Sequence, residues 1–151
     1  MRLFLTASKH AYDLLPPIIS GLEDFGHVVT LPNCFDDVGM EERMARMGEV
    51  EHREFKERMF LQAIRKIRDV EGIVTANIIR RRGIDNYIGG STFLELYEGW
   101  NHKKGLYLHN PIPEGMLYDE ICGFGPVILN GDLSLIPHSR EYELSSPAAR
   151  E

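Results

Sequence analysis

Two cysteines are too few for a disulfide framework, and Cys34 and Cys122 have no neighbours at metal-ligand spacing. Both are expected to be free, buried thiols. The six histidines form no H-x-x-x-H pattern, so no metal site is expected. No apolar run approaches the roughly 20 residues that span a bilayer. The opening Met1-Arg2-Leu3-Phe4-Leu5-Thr6 turns polar too early for a secretory signal. A cytoplasmic protein with no membrane partner is the expectation. Positive charge is also short: 17 Lys and Arg against 23 Asp and Glu leave a net charge of -6. A binder of nucleic acid polymers needs a basic face to displace counterions, so that class is disfavoured. A small anion held by a few local donors stays open. The chain has no G-x-x-x-x-G-K-[ST] phosphate loop, and no G-x-G-x-x-G follows its first strand-like segment. That removes the main signs of a P-loop NTPase and of a dinucleotide-dependent oxidoreductase.

With 43% apolar and 26% charged residues in 151, the chain fits one globular domain, assigned to residues 1–137. Residues 138–151, rich in Ser, Arg and Glu, read as a mobile tail. Leu3, Phe4 and Leu5 mark a first strand buried on both faces. A helix over residues 16–25 starts on proline and stops at Gly26, and a second strand covers residues 27–31. Residues 40–69 read as helical with a break at Gly48. There Phe60, Ala63, Ile64 and Ile67 form one apolar stripe. Further strands are expected at residues 71–76, 105–108 and 126–129, with a helix from about Thr92 to residue 102 or 103. Residues 110–125 read as a surface excursion. This alternation predicts a three-layer α/β/α domain with a five-stranded, mainly parallel, Rossmann-like or flavodoxin-like sheet. Such sheets place ligands at the C-terminal strand ends. Here these are Thr6 to His10, Ala76-Asn77, and the turn from Gly89 to Glu95.

That turn, Tyr87-Ile88-Gly89-Gly90-Ser91-Thr92-Phe93-Leu94-Glu95, is the most informative segment. Two glycines let the backbone approach a ligand closely, and the first N–H groups of the following helix are free to bind an anion or a sugar. At about 100° per residue, Phe93, Leu96, Tyr97 and Trp100 share the face expected to pack on the sheet. Thr92, Glu95 and Gly99 share another. A purely structural alternative exists: Thr92-x-x-Glu95 is a capping box, which explains both residue types without chemistry.

Gly90-Ser91-Thr92-Phe93-Leu94-Glu95, followed by a packed helix and Lys104-Gly105-Leu106-Tyr107-Leu108, resembles the nucleoside 2-deoxyribosyltransferase family, which includes nucleoside 5′-monophosphate N-glycosidases. By order of elements the resemblance covers residues 1–129. It implies that Glu95 is the nucleophilic glutamate, cleaving or transferring at an N-glycosidic bond without a cofactor or metal. It also implies a small nucleoside or nucleotide ligand and a homo-oligomer, for which the Met-rich residues 40–59 offer a surface. Members often carry an aspartate shortly before the Gly-Thr turn, where this chain has Ile88-Gly89-Gly90. Asp85 lies nearby at a different offset, and Asn77 could substitute as a base or sugar contact. The remaining candidate ligand contacts are Thr6, Ser8, Lys9, Gly89, Gly90, Ser91 and Thr92. Ser8 with Lys9, or one of Arg80, Arg81 and Arg82, could hold a 5′-phosphate, and Tyr12 or Tyr87 could stack on a base. Solvated loop charges and ordinary packing are the plain readings of these residues, and of Asp36 and Asp37. The rival from another class is a non-catalytic nucleotide-binding or sensing module.

Overall fold

The computed structural model describes residues 1–138, so the reading of residues 139–151 as a tail lies outside the described residues. Five strands, β1 (Arg2–Thr6), β2 (Val28–Thr30), β3 (Gly72–Thr75), β4 (Gly105–Leu108) and β5 (Val127–Ile128), form one sheet in the order β2-β1-β3-β4-β5. Every pairing is parallel. The expected α/β/α layering is present, in the flavodoxin-like strand order.

The alternation of side chains along β1 explains the two cores. Leu3 and Leu5 point to one face, joining Val74, Tyr107 and Leu129 under α1 (Pro16–Asp24), which contributes Ile18 and Leu22. Phe4 points to the other, joining Ile73, Leu106 and Leu108 beneath Ile67 and Leu96. Those two residues belong to α3 (Glu49–Arg68) and α4 (Gly90–Asn101). A short α2 (Met40–Met47) precedes α3 and buries no residue. The expected break falls at Gly48, whose φ of 150° lies where L side chains are rarely found.

Three expectations need correction. Residues 110–125 are not a plain excursion: α5 (Tyr118–Phe124) sits there and buries Ile121 in the second core. The thiols are not both buried, since Cys34 is half-buried and Cys122 exposed. The face of α4 that meets the sheet carries Thr92, Leu96 and Gly99, whereas Tyr97 and Trp100 stay about half-exposed. Gly99 explains the difference. A Cβ there would stand 2.3 Å from Ile73 Cδ1 and 3.0 Å from Leu106 Cδ2, so the missing side chain sets how closely α4 approaches β3 and β4. Tyr97 and Trp100 instead pack at tilted angles against each other and against Phe124 on α5.

Strand order reverses between β1 and β3, so their C-terminal ends diverge and leave a crevice. The connection after β3 folds back as a tight hairpin in which Arg81 and Ile84 exchange backbone hydrogen bonds. Its two central residues, Arg82 and Gly83, both have positive φ, 51° and 76°, the mark of a type I′ turn.

Candidate active site

A cavity of about 600 Å³ opens at that crevice. Its walls come from the turn after β1 (Ser8, Lys9, His10, Tyr12), from α2 and α3, from the hairpin, and from Gly89 through Glu98. The stripe predicted on α3 is only partly core: Ala63 and Ile67 are buried, Phe60 and Ile64 are not, and all four line the cavity, with Met59 beside them.

Glu95 is the group that the fold positions most firmly. Thr6, the buried last residue of β1, donates its hydroxyl to the Glu95 carboxylate across 89 positions of sequence. The carboxylate is therefore tied to the end of a central strand, a rigid anchor. Burial pushes its pKa up to about 7, although the Thr6 hydrogen bond and the nearby Lys66 and Lys56 pull the other way. Lys66 reaches back from α3 to donate to the Leu31 carbonyl at 2.9 Å. Its own pKa is lowered by burial, with Glu95 opposing.

The capping-box explanation of Thr92 and Glu95 does not hold. The helix starts three residues earlier than such a box requires: Gly89 is the N-cap, and its carbonyl accepts from Phe93 N at 2.9 Å. Thr92 is thus inside the first turn and Glu95 in the second. Neither glycine is demanded by the backbone, since Gly89 has an ordinary extended φ of -85° and Gly90 is not among the positive-φ glycines. Nor does packing demand Gly90, because nothing lies within 4 Å of where its Cβ would stand. Its bareness leaves room on the cavity side, beside the N–H groups of the first turn of α4.

A second polar group forms the opposite wall. Glu41 on α2 accepts from Lys9 at 3.2 Å and lies 3.3 Å from His52 Nε2 and 3.5 Å from Lys56 Nζ. Burial alone would raise the Glu41 pKa, but His52, Lys56 and Lys9 together hold it below the usual carboxylate range. Lys9 also pairs with Glu42, and Lys56 donates to Ser91 Oγ at 3.2 Å. Tyr12 donates its hydroxyl to the Asn33 carbonyl at 2.9 Å. Burial and the charges of Glu95, Cys34 and Glu41 raise its pKa.

The predicted contacts divide cleanly. Ser8, Lys9, Gly89, Gly90, Ser91, Thr92 and Glu95 line one cavity, with Thr6 behind Glu95. Tyr12, Tyr87, Arg81 and Arg82 line it as well. Asn77 and Asp85 do not. The Asn77 amide is buried and spent on backbone: it donates to the carbonyls of Asn110 (2.9 Å) and Pro111 (3.0 Å), and its oxygen accepts from Asn110 N at 2.9 Å. Asp85 is exposed and paired with Arg80 at 2.8 Å. Asp36 and Asp37 also lie outside, where Arg43 forks onto Asp37. Sequence reasoning missed Glu41, Lys56 and Lys66. One signal was there to read: Lys56 sits four residues before Phe60 and seven before Ala63, a cation on an apolar stripe. Among the described residues, no group of three His, Cys, Asp or Glu side chains could hold a metal ion, and no helix is long and apolar enough to cross a membrane.

No protein-family model, curated protein or solved structure matches the chain.

Proposed function

We propose that the cavity cleaves, or transfers across, the N-glycosidic bond of a (deoxy)nucleoside or its 5′-monophosphate, with Glu95 as nucleophile. One observation carries this reading. A carboxyl group whose one hydrogen-bond partner among the described residues is Thr6 is held at the topological switch point of the sheet, facing a cavity of nucleoside size. A partly buried carboxylate on α4, tied to the end of β1, stabilises nothing by itself, but it matches the positive charge that grows on an anomeric carbon as its base departs. In the first step a Glu95 oxygen bonds to the anomeric carbon. The C–N bond breaks, and its electron pair leaves with the base, which must take up a proton. Tyr12, Lys9 and Lys56 are proton-bearing side chains on the same walls. Water or a second base then attacks the same carbon and returns the carboxylate.

Only the ionised form of Glu95 can attack, so the rate in this reading rises with pH through about 7. The test is chromatographic detection of free base from a panel of ribo- and deoxyribonucleosides and their 5′-monophosphates. Wild type and Glu95→Ala are run in parallel. Release by wild type and its loss in the variant support the reading. No release from any compound, by folded protein, refutes it.

The raised pKa also favours a second reading, a nucleotide-binding module without catalysis, because an empty site then holds a Glu95 that is in part uncharged near neutrality. Ligand-induced thermal stabilisation without base release would identify that case. A homo-oligomer belongs to the glycosidic reading. The half-exposed Tyr97, which lines the cavity, and Trp100, both packed against Phe124, support it. Light scattering of wild type and Trp100→Glu checks it, with a smaller particle expected for the variant.

A further inference from the structure

Three buried side-chain atoms find no hydrogen-bond partner among the described residues: His27 Nε2, Asn33 Oδ1 and Thr75 Oγ1. His27 sits at the far, N-terminal edge of the sheet beside Met1, and the Asn33 side chain is anchored through its amide to the Met59 carbonyl. Thr75 is different. It is the last residue of β3, fully buried, at the strand edge where the cavity opens. Valine has the same shape and would leave no hydroxyl unpaired there, so packing gives no reason for the polar atom.

Strand register and helix pitch define what that hydroxyl faces. Thr6 and Thr75 are partners in the β1–β3 ladder, one strand spacing of about 4.8 Å apart. Side chains alternate along each strand, and Phe4 and Ile73 both enter the second core. Thr6 and Thr75 therefore share that face, under α3 and α4. Gly99 of α4 lies against Ile73, its absent Cβ 2.3 Å from Cδ1. Helix α4 links the parallel neighbours β3 and β4 and so runs antiparallel to both. Glu95, one turn before Gly99 on the same helix face, is displaced from it by about 6 Å toward the strand C-termini. Thr75, two residues after Ile73, is displaced by about 6.6 Å in the same direction. Glu95 thus stands over Thr75 and leans across to Thr6, from which it accepts its hydrogen bond.

One donor serves a neutral carboxyl group, whereas an ionised one has about four lone-pair sites and gains more from each further donor. From α3, Lys66 and Lys56 face Glu95 and favour its ionised form. Tyr12 faces it from the turn after β1, its hydroxyl already given to the Asn33 carbonyl. We propose that Thr75 is a second positioning residue of Glu95: as the carboxyl group gives its proton to solvent, the Thr75 hydroxyl turns to donate to it, and with Thr6 forms a two-hydroxyl cradle for the ionised form. The hydroxyl that packing leaves idle is a donor held for the charged state. As a statement about how Glu95 ionises, this stands on the geometry alone; as a statement about rate, it rests on the glycosidic reading above.

The test follows the side-chain carboxyl resonances of isotope-labelled protein through a pH titration, with Glu95 assigned by its disappearance in Glu95→Gln. Thr75→Val should raise the Glu95 midpoint by about one pH unit, a tenfold fall in acid dissociation and the worth of one charge-assisted hydrogen bond. Thr75→Ser, which keeps the hydroxyl, should stay within about 0.3 unit of wild type, roughly twofold. Thermal denaturation supplies a second readout. At pH 5, where Glu95 is protonated, Thr75→Val should melt at or above wild type, and by pH 8 it should have lost ground. In a Glu95→Gln background the effect of Thr75→Val should be equal at both pH values. An unmoved or lowered midpoint in Thr75→Val, an equal shift in Thr75→Ser, or a Thr75→Val protein that melts well below wild type at pH 5 would overturn the inference. A midpoint shift in protein that releases no base from any compound keeps the role of Thr75 and sinks the glycosidic reading. Base release with an unmoved midpoint does the reverse.

Discussion

Replacing Glu95 by glutamine should make the protein more stable at alkaline pH and inactive at every pH. In the unfolded chain Glu95 ionises near 4.5, while in the folded protein it keeps its proton up to about 7. Between those values the folded state binds the extra proton, so stability falls as pH rises through the window. At about 1.4 kcal/mol per pH unit, the interval from 4.5 to about 7 corresponds to roughly 3 kcal/mol of folding free energy forgone at pH 8. Water in the cavity relaxes part of this, so a gain of about 1–3 kcal/mol is expected for Glu95→Gln. Glutamine imitates the protonated acid and still accepts from Thr6. For a chain of this size the gain is a rise of roughly 3–10 °C in Tm at pH 8. At pH 5 the folded wild type is itself protonated and the difference should shrink to below about 1 kcal/mol. Thermal denaturation of both proteins at pH 5, 6.5 and 8 measures this directly. A difference that does not grow with pH, or a variant that melts lower at pH 8, would refute the claim that Glu95 is strained by ionisation.

Gly99→Ala should destabilise by about 1–3 kcal/mol in urea titration, because its new methyl would collide with Ile73 and Leu106 at the α4–sheet contact. Asn77→Ala should cost roughly 1–3 kcal/mol, since it removes three hydrogen bonds that the buried Asn77 amide makes to the backbone of Asn110 and Pro111, yet leave the pH dependence of base release unchanged. His27 is buried, and burial together with the N-terminal amine and His138 lowers its pKa. The unfolded chain then takes up the proton first, so stability should fall as pH drops below about 6.5. His27→Phe should flatten that acid limb in the same melts. Arg82→Gly should gain up to about 1 kcal/mol in the same melts by relieving the left-handed strain.

The strands were legible because contiguous runs such as Leu3-Phe4-Leu5 and Ile73-Val74 carry their burial in the sequence itself. So was the break at Gly48, where a glycine interrupts a charged helical pattern. What failed was register. On α4, aromatic residues at helical spacing looked like the core face, but tertiary contact with β3 and β4 favoured the slim Thr92–Leu96–Gly99 side and left Tyr97 and Trp100 outside. Helix α5 was hidden because the prolines and glycines around it suggest a loop, and one buried residue, Ile121, is too weak a pattern. At the site, Glu95 and the glycines were visible because they sit together in one segment. Glu41, Lys56 and Lys66 were not, because only the packing of α2 and α3 over the crevice brings the two lysines near Glu95 and Glu41 to the cavity wall. Asn77 looked like a ligand contact from its place at a strand end. The loop after β4 claims its amide first, and no local pattern reports that.

The hydrogen bond between Thr6 and Glu95 has a consequence for folding. It joins the first strand to the fourth helix, so the site cannot exist in any fragment that lacks either. It must form late, after β1 and β3 have paired and α4 has docked through Gly99. A ligand that grips both residues would then hold together segments 89 positions apart rather than one local loop. Amide exchange in β1, β3 and α4 would slow in concert, because opening any one of them would release it.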